Sequence, residues 1–409
     1  MTTTVSDPLR QLSRECEEEL RGHILPFWLG MQDICGGFYG RTLRNLSIQK
    51  DAPKDSILHA KILWTFSEAY LLFGDTKYLS AAEHAYQFLK QAEDAEKGGM
   101  LLSLTVDLKP SDTRKPTDAN AFAIYGLCAY AQASNSKEPI DFAMRLFHVI
   151  EQYAIAEYGY TELFNPILSS IQQSENKKRK CSIVRSVNTP IHLIEAYSEL
   201  YQLTKNDNVR SALENLLQLF RNKIYNPTAK RLEVFFDEKM NALGELHSYG
   251  HDMEASWLID KACQYLGNDT LTAEFRKLNY QLANHVHKVA YQDGAILQER
   301  FGTEINKTRV WWVEAEGIIG FLNAAETAQL YRETDRYQMF TADAISLWEY
   351  IRKNHIDPRN GGEWFAETDV LGNPQSEYAT AGSRKSPYHN SRMCLEVIKR
   401  TAKLCDTHA

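Results

Sequence analysis

Residues 56–73 read SILHAKILWTFSEAYLLF, and residues 77–91, after the turn Gly74-Asp75-Thr76, read KYLSAAEHAYQFLKQ. The first segment is apolar on nearly every side, which is how a helix reads when neighbours cover it all round. The second repeats its apolar residues at i, i+3 and i+4, the pattern of an amphipathic helix with one face in solvent. Together they predict an inner helix followed by an outer one. The same pairing recurs at 117–132 with 138–152, at 188–204 with 208–223, at 251–267 with 270–289, and at 312–331 with 336–354.

Turns rich in glycine and aromatics separate the pairs. They are GGFYGRTL at Gly36, GGMLLSLTVD at Gly98, YGYTELF at Tyr158, RLEVFFDEKMNALGE at Arg231, DGAILQERFG at Asp293 and GGEWFAETD at Gly361. Successive starts lie 62, 60, 73, 62 and 68 residues apart, so six such units fill the 409 residues,. Each unit supplies two helices and a short β-hairpin. Twelve helices in two concentric rings make an all-α (α/α)6 barrel, with an open solenoid of the same repeats as the structural alternative. No Pro-, Ser- or Gly-rich linker interrupts the series, which predicts a single domain over residues 1–409.

A formal charge of −7 argues against a nucleic-acid or anionic-membrane partner,. The basic run Lys177 to Lys180 lies in the polar stretch Gln172 to Lys180 and reads as a solvated loop,. Seven cysteines (16, 35, 128, 181, 263, 394 and 405) are scattered without a C-x-x-C pair, which suggests buried thiols in a reducing compartment,. The N-terminus MTTTVSDPLRQ carries no apolar signal core, and no window is long and apolar enough to span a bilayer,. The expectation is a cytoplasmic monomer or homodimer. Aromatics make up 11% of the chain, with 7 Trp and 21 Tyr. They fit either a large core or a carbohydrate site, where flat rings stack on sugar C–H faces.

Three histidines open apolar helices beside polar neighbours. Asn188 and His192 are four apart and share a helix face, as do His251 and Glu254, three apart, in SYGHDMEASW,. His389 stands in KSPYHNSR ahead of the last helix. In a barrel these heads face a common mouth, and converging imidazoles suit acid–base chemistry near neutral pH. A metal site is the competing reading, since His and Glu at i, i+3 both ligate metals, but no H-E-x-x-H signature is present. Trp311 and Trp312, with Glu314 and Glu316, begin another inner helix and could wall the pocket. Lys61 lies inside the apolar helix 56–73, where a charge must be paired or face a polar cavity. Glu68 is too far along the helix to be its partner, which favours the cavity.

The text ILPFW at Ile24, GGFYG, ILHAKILWTFSEAY, AFAIY at Ala121, the Asn188/His192 pair, SYGHDMEASWL, VWWVEAEGIIGF and PYHNSRM resembles the N-acylglucosamine 2-epimerase superfamily almost end to end. The likeness is greatest to its cellobiose 2-epimerase and mannose 2-epimerase branch. The resemblance implies an (α/α)6 barrel that works without metal or redox cofactor on a small sugar substrate. In that chemistry the sugar ring opens, a proton leaves C2 to give a cis-enediol(ate), and rotation about C2–C3 followed by reprotonation inverts the centre. The resemblance assigns the two bases to His389 and His251. Glu254 would orient or tune His251, His192 would assist ring opening and hydrogen-bond the substrate, and Asn188 and Tyr388 beside them would complete the sugar-binding set.

The chain departs from the branch at three places. Lys61 stands where an arginine is usual, which keeps the charge but loses the bidentate fork, leaving a point charge for the enediolate. Asp118 and Arg384 stand where a tyrosine and a tryptophan usually hold the second sugar of a disaccharide. An Asp118–Arg384 ion pair would narrow the pocket, so a monosaccharide is expected, with D-mannose to D-glucose the leading case and cellobiose the alternative. A mannose–fructose isomerase stays open, as does an inverting glycoside hydrolase, whose carboxylates stand ~6.5–9.5 Å apart, with Glu254 and Glu316 as candidates. A non-catalytic sugar-binding protein stays open as well.

Overall fold

In the computed structural model, which describes residues 7–164, 184–375 and 378–406, the segments 56–73 and 77–91 are helical. Numbered along the chain, the helices are α1 (Pro8–Glu19), α2 (Ser56–Phe73), α3 (Thr76–Ala92), α4 (Thr117–Ser134), α5 (Glu138–Tyr153) and α6 (Asn188–Thr204). They continue as α7 (Asp207–Leu219), α8 (Tyr249–Leu266), α9 (Asp269–Val289), α10 (Trp311–Leu330), α11 (Thr334–Asn354) and α12 (Tyr388–Asp406). A π-helical turn at Leu20–Ile24 and a short helix at Leu25–Leu29 extend α1.

The tight junctions within a pair have a local cause. Gly74 ends α2 with a left-handed φ of 70°, and the next residue, Asp75, caps α3 by accepting from Lys77 N,. Lys205 and Asn206 do the same between α6 and α7, and Gly267 and Asn268 between α8 and α9. Each junction stops one helix and starts the next within two residues, so the second folds back along the first.

The inner helices α2, α4, α6, α8, α10 and α12 pack in sequence order, and α12 closes on α2. Helices α3, α5, α7, α9 and α11 each lie outside their preceding inner helix, while α1 lies outside α12. The architecture is therefore the expected closed (α/α)6 barrel and not an open solenoid. Its sixth pair joins the first and last helices of the chain. The close approach of α2 and α4 needs glycine at 126, where a Cβ would lie 2.6 Å from the Ala60 carbonyl oxygen,.

Short antiparallel strands lead into the inner helices. Lys54–Asp55 pairs with Ser103–Leu104 and precedes α2; Leu246–Ser248 pairs with Glu299–Phe301 and precedes α8; Arg309–Val310 pairs with Glu367–Thr368 and precedes α10. These pairings join neighbouring units into a partly stitched rim at the inner helix N-termini, beside the expected short hairpins, such as 103–104 with 110–112, 225–226 with 231–232, and 299–301 with 304–306. The basic run Lys177 to Lys180 and Cys181 fall outside the described residues. Six cysteines are described, all as free thiols. Among the described residues no helix is long and apolar enough to cross a membrane.

Candidate active site

The first two turns of the six inner helices carry the predicted site residues: Lys61 on α2, Asp118 on α4, Asn188 and His192 on α6, His251 and Glu254 on α8, Trp311, Trp312 and Glu316 on α10, and Tyr388 and His389 on α12. At their centre is Arg392, one turn beyond His389 and fully buried. Its Nη2 donates to Glu254 Oε1 at 2.7 Å and to Glu316 Oε1 at 2.6 Å. Its Nη1 donates to Glu195 and contacts the Tyr388 hydroxyl, which itself donates to Glu195. Burial alone would raise the Glu195 carboxyl, but the Arg392 charge overrides it and holds the group at about 2,. For Glu316 burial wins over Arg392, and the carboxyl is raised.

His389 Nδ1 stands 2.7 Å from Glu316 Oε1, and Glu316 Oε2 accepts from Trp257 Nε1 at 2.9 Å. With Nδ1–H donating to the carboxylate, the Nε2 lone pair of the neutral ring is left for a substrate. Burial holds the His389 pKa well below its ordinary value, so the ring is a neutral base near pH 7,. His251 is anchored the same way, with Nδ1 2.7 Å from Ser248 Oγ, and burial lowers it too. Both imidazoles meet the Trp312 ring, with centroids 5.2 Å away for His251 and 5.6 Å for His389. Gly250 permits this placement, since a Cβ there would lie 2.5 Å from the Trp312 ring.

His192 uses both nitrogens, Nδ1 at 3.4 Å from Glu195 Oε2 and Nε2 at 3.1 Å from Asn188 Oδ1, as the shared helix face predicted. Lys61 Nζ lies over the Phe122 and Tyr388 rings, 4.1 and 4.9 Å from their centroids. Glu68 is paired instead with Lys399 at 2.7 Å and is not the partner of Lys61.

Several expectations are corrected. Glu254 is bound to Arg392, and the hydrogen bond that orients His251 comes from Ser248; Glu254 reaches both histidines only through its field. Glu316 does not wall the cavity: it is fully buried and orients His389. Glu314 turns to the Ile296 backbone N–H, 2.9 Å away, and is structural. Tyr388 is fully buried, its hydroxyl engaged by Glu195. Asp118 and Arg384 form no ion pair with each other. Arg384 is exposed at the rim of the cavity, while the Asp118 charge acts on Lys61, Asp55 and Glu162. Sequence reasoning missed Arg392 and Glu195, although each stands three residues after a predicted histidine, the spacing that had flagged Glu254.

A cavity of about 780 Å³ opens over this cluster, lined among others by Trp311, Trp312, Asp55, Tyr378, Arg384 and Lys385. It meets the histidines at the two tryptophans. Among the described residues, Glu254, Glu316 and His389 bring ligand atoms within 4.8 Å of one another, a spacing that suits a metal,. The guanidinium of Arg392 already donates to both carboxylates, so the positive charge this donor set calls for is supplied by the chain itself.

The family described as N-acylglucosamine 2-epimerase (GlcNAc 2-epimerase) matches residues 37–392. The chain is similar to a cellobiose 2-epimerase of Ruminococcus albus, 41% identical over 388 residues that cover 94% of this chain and 98% of that one. It is also similar to a cellobiose 2-epimerase of Dictyoglomus turgidum, 36% identical over 396 residues that cover 96% and 99%. A crystal structure of a sugar epimerase from a ruminal bacterium superposes with a TM-score of 0.90 at 41% identity, covering 95% of this chain and 98% of that one. With a barrel of the same build and a match along nearly its whole length, this chain belongs to the N-acylglucosamine 2-epimerase family, and with it to the carbohydrate isomerases.

Proposed function

We propose that this enzyme inverts C2 of an aldose by proton transfer between His389 and His251, with D-mannose and D-glucose as the leading pair. His192, held between Glu195 and Asn188, assists ring opening by moving a proton between the anomeric hydroxyl and the ring oxygen. One of the two other imidazoles then takes the C2 proton to give a cis-enediol(ate). After rotation about C2–C3 the other returns a proton to the opposite face. The observation that carries this reading is that His389 and His251 meet the same Trp312 ring, each fixed through Nδ1 and each kept neutral by burial,. An inverting hydrolase would need two free carboxylates, and Glu254 and Glu316 are both held by Arg392,.

The monosaccharide preference rests on Asp118 and Arg384, which put charge where a stacking platform for a second sugar would be. The cavity volume of about 780 Å³ favours a second reading, a β-1,4-disaccharide such as the cellobiose named for the relatives,. Proton NMR of EDTA-treated enzyme with D-mannose in D₂O tests both readings. Glucose carrying deuterium at C2 is expected. Fructose as the main product would make the enzyme an isomerase, and a higher kcat/KM for cellobiose than for mannose would overturn the monosaccharide assignment.

A further inference from the structure

The far ends of the inner helices enclose a second cavity. Its lining comes from the middle and C-terminal turns of α2, α4, α6, α8 and α12, whereas the histidine site uses their first turns. The cavity measures about 330 Å³, and Leu71 and Gln132 on its lining are exposed, so it opens to solvent. Trp64 and Tyr125 stand between it and the Arg392 cluster. Their rings stack on each other at 5.3 Å and pack against Tyr388 at 5.7 and 6.1 Å. The two cavities share no lining residue.

Three carboxylates and three cations meet around this second cavity. Lys399 donates to Glu68 Oε2 at 2.7 Å, Lys261 stands 2.6 Å from Glu199 Oε1, and Arg400 donates to Glu396 Oε2 at 3.0 Å. Each carboxylate thus engages a cation through one oxygen. The other oxygens, Glu68 Oε1, Glu199 Oε2 and Glu396 Oε1, accept no hydrogen bond among the described residues. Burial alone would raise the Glu396 carboxyl, but Arg400 overrides it and holds the group at about 2, so it is an acceptor,. Tyr125 lines the cavity, is 2% exposed, and its hydroxyl has no hydrogen-bond partner among the described residues. Burial pushes this phenol well above its usual pKa, with Glu195, Glu199 and Glu68 acting on it, so the proton stays on. A buried hydroxyl that faces a cavity without a partner calls for one.

We propose that this cavity is a second binding site, for a neutral, hydroxyl-rich molecule of about monosaccharide size. The inference is independent of the chemistry assigned to the histidines. Three cations already balance the three carboxylates, so an ionic ligand would bring a charge without a counterpart,. These carboxylates do not converge at metal spacing either; among the described residues the group that does is Glu254, Glu316 and His389. Open acceptor oxygens and an open O–H donor remain, and hydroxyl groups satisfy both because each donates and accepts. Trp64, Leu71 and Leu72 add apolar surface for the C–H groups of such a ligand,. The volume lies at the small end of ligand pockets, which run from about 300 to 1,000 Å³.

Equilibrium dialysis of the full chain against radiolabelled 1,5-anhydro-D-glucitol, a neutral pyranose that cannot ring-open, counts the molecules bound per chain. Gln132→Trp places an indole at the exposed mouth of the cavity, and Tyr125→Phe removes the open hydroxyl. Expected in Gln132→Trp is one fewer molecule bound per chain, with 2-epimerase activity unchanged. Expected in Tyr125→Phe is binding at that site weakened about fivefold, the worth of one neutral hydrogen bond. Stoichiometry and affinity in both variants equal to wild type overturn the site, even if the probe also binds among the histidines. A wild-type chain that binds none of the probe overturns it as well. Labelled spermidine bound in place of the polyol would make the cavity a cation site and overturn the neutral-ligand assignment.

Discussion

Glu316 Oε1 accepts from His389 Nδ1 at 2.7 Å and from Arg392 Nη2 at 2.6 Å. One oxygen thus ties the orientation of a proposed base to a buried cation that also holds Glu254 and Glu195. The base cannot turn without disturbing α6, α8 and α10 together.

Glu316→Gln keeps the volume but loses the charge that selects the Nδ1–H tautomer of His389. The kcat for 2-epimerisation is expected to fall by about 10²–10⁴, the usual worth of a positioned acid–base group, with KM changed far less. Steady-state kinetics decide it, and a kcat within a few-fold of wild type would show that Glu316 does not orient the base.

Arg392→Met leaves three buried carboxylates without their shared cation. Removing one partner of a buried ionic network costs roughly 3–5 kcal/mol. Urea unfolding should show a loss of that order, together with inactivation. Unchanged stability would mean the carboxylates are neutral in the folded enzyme.

Stability should fall with acid from pH 6.5 downward. His59 and His355 are buried and neutral, with pKa values lowered by burial to about 3 and about 4. His59 accepts from Phe38 N at 2.8 Å, which protonation would abolish. In the unfolded chain both titrate near 6.5, so below that pH the unfolded state binds more protons and is favoured. Each group is expected to cost about 2 kcal/mol at pH 5, at 1.36 kcal/mol per unit. Chemical unfolding at pH 7 and pH 5 measures it, and equal stabilities would contradict the assignment of buried neutral rings.

Activity should persist below the pH at which a free imidazole protonates. Burial depresses both His389 and His251, so each stays neutral and basic below 6.5. The acid limb of kcat/KM, measured on a timescale shorter than unfolding, is expected below 6.5. A limb at or above that value would assign it to another group.

Asp118→Tyr with Arg384→Trp would restore two aromatics at the cavity. Stacking on a second sugar should raise kcat/KM for cellobiose about tenfold, equivalent to 1.4 kcal/mol. No gain would place the disaccharide specificity elsewhere on the rim.

The sequence by itself determined the ring of helix pairs, because burial on all sides and on one side leave different periodicities, and Gly74-Asp75 and Gly267-Asn268 mark two of the turn-backs. It also exposed His192, His251 and His389, since each sits at a helix head next to a polar residue one turn away. Only the tertiary structure decided the closure of α1 against α12, a pairing of chain ends that no local period encodes. It alone decided that Glu316 serves His389 across 73 residues, that Ser248 and not Glu254 steadies His251, and that Asp118 and Arg384 do not meet. The physical reason is the same in each case. Periodicity reports which face of an element is buried, but the partner of a buried charge is set by packing between elements far apart in the chain.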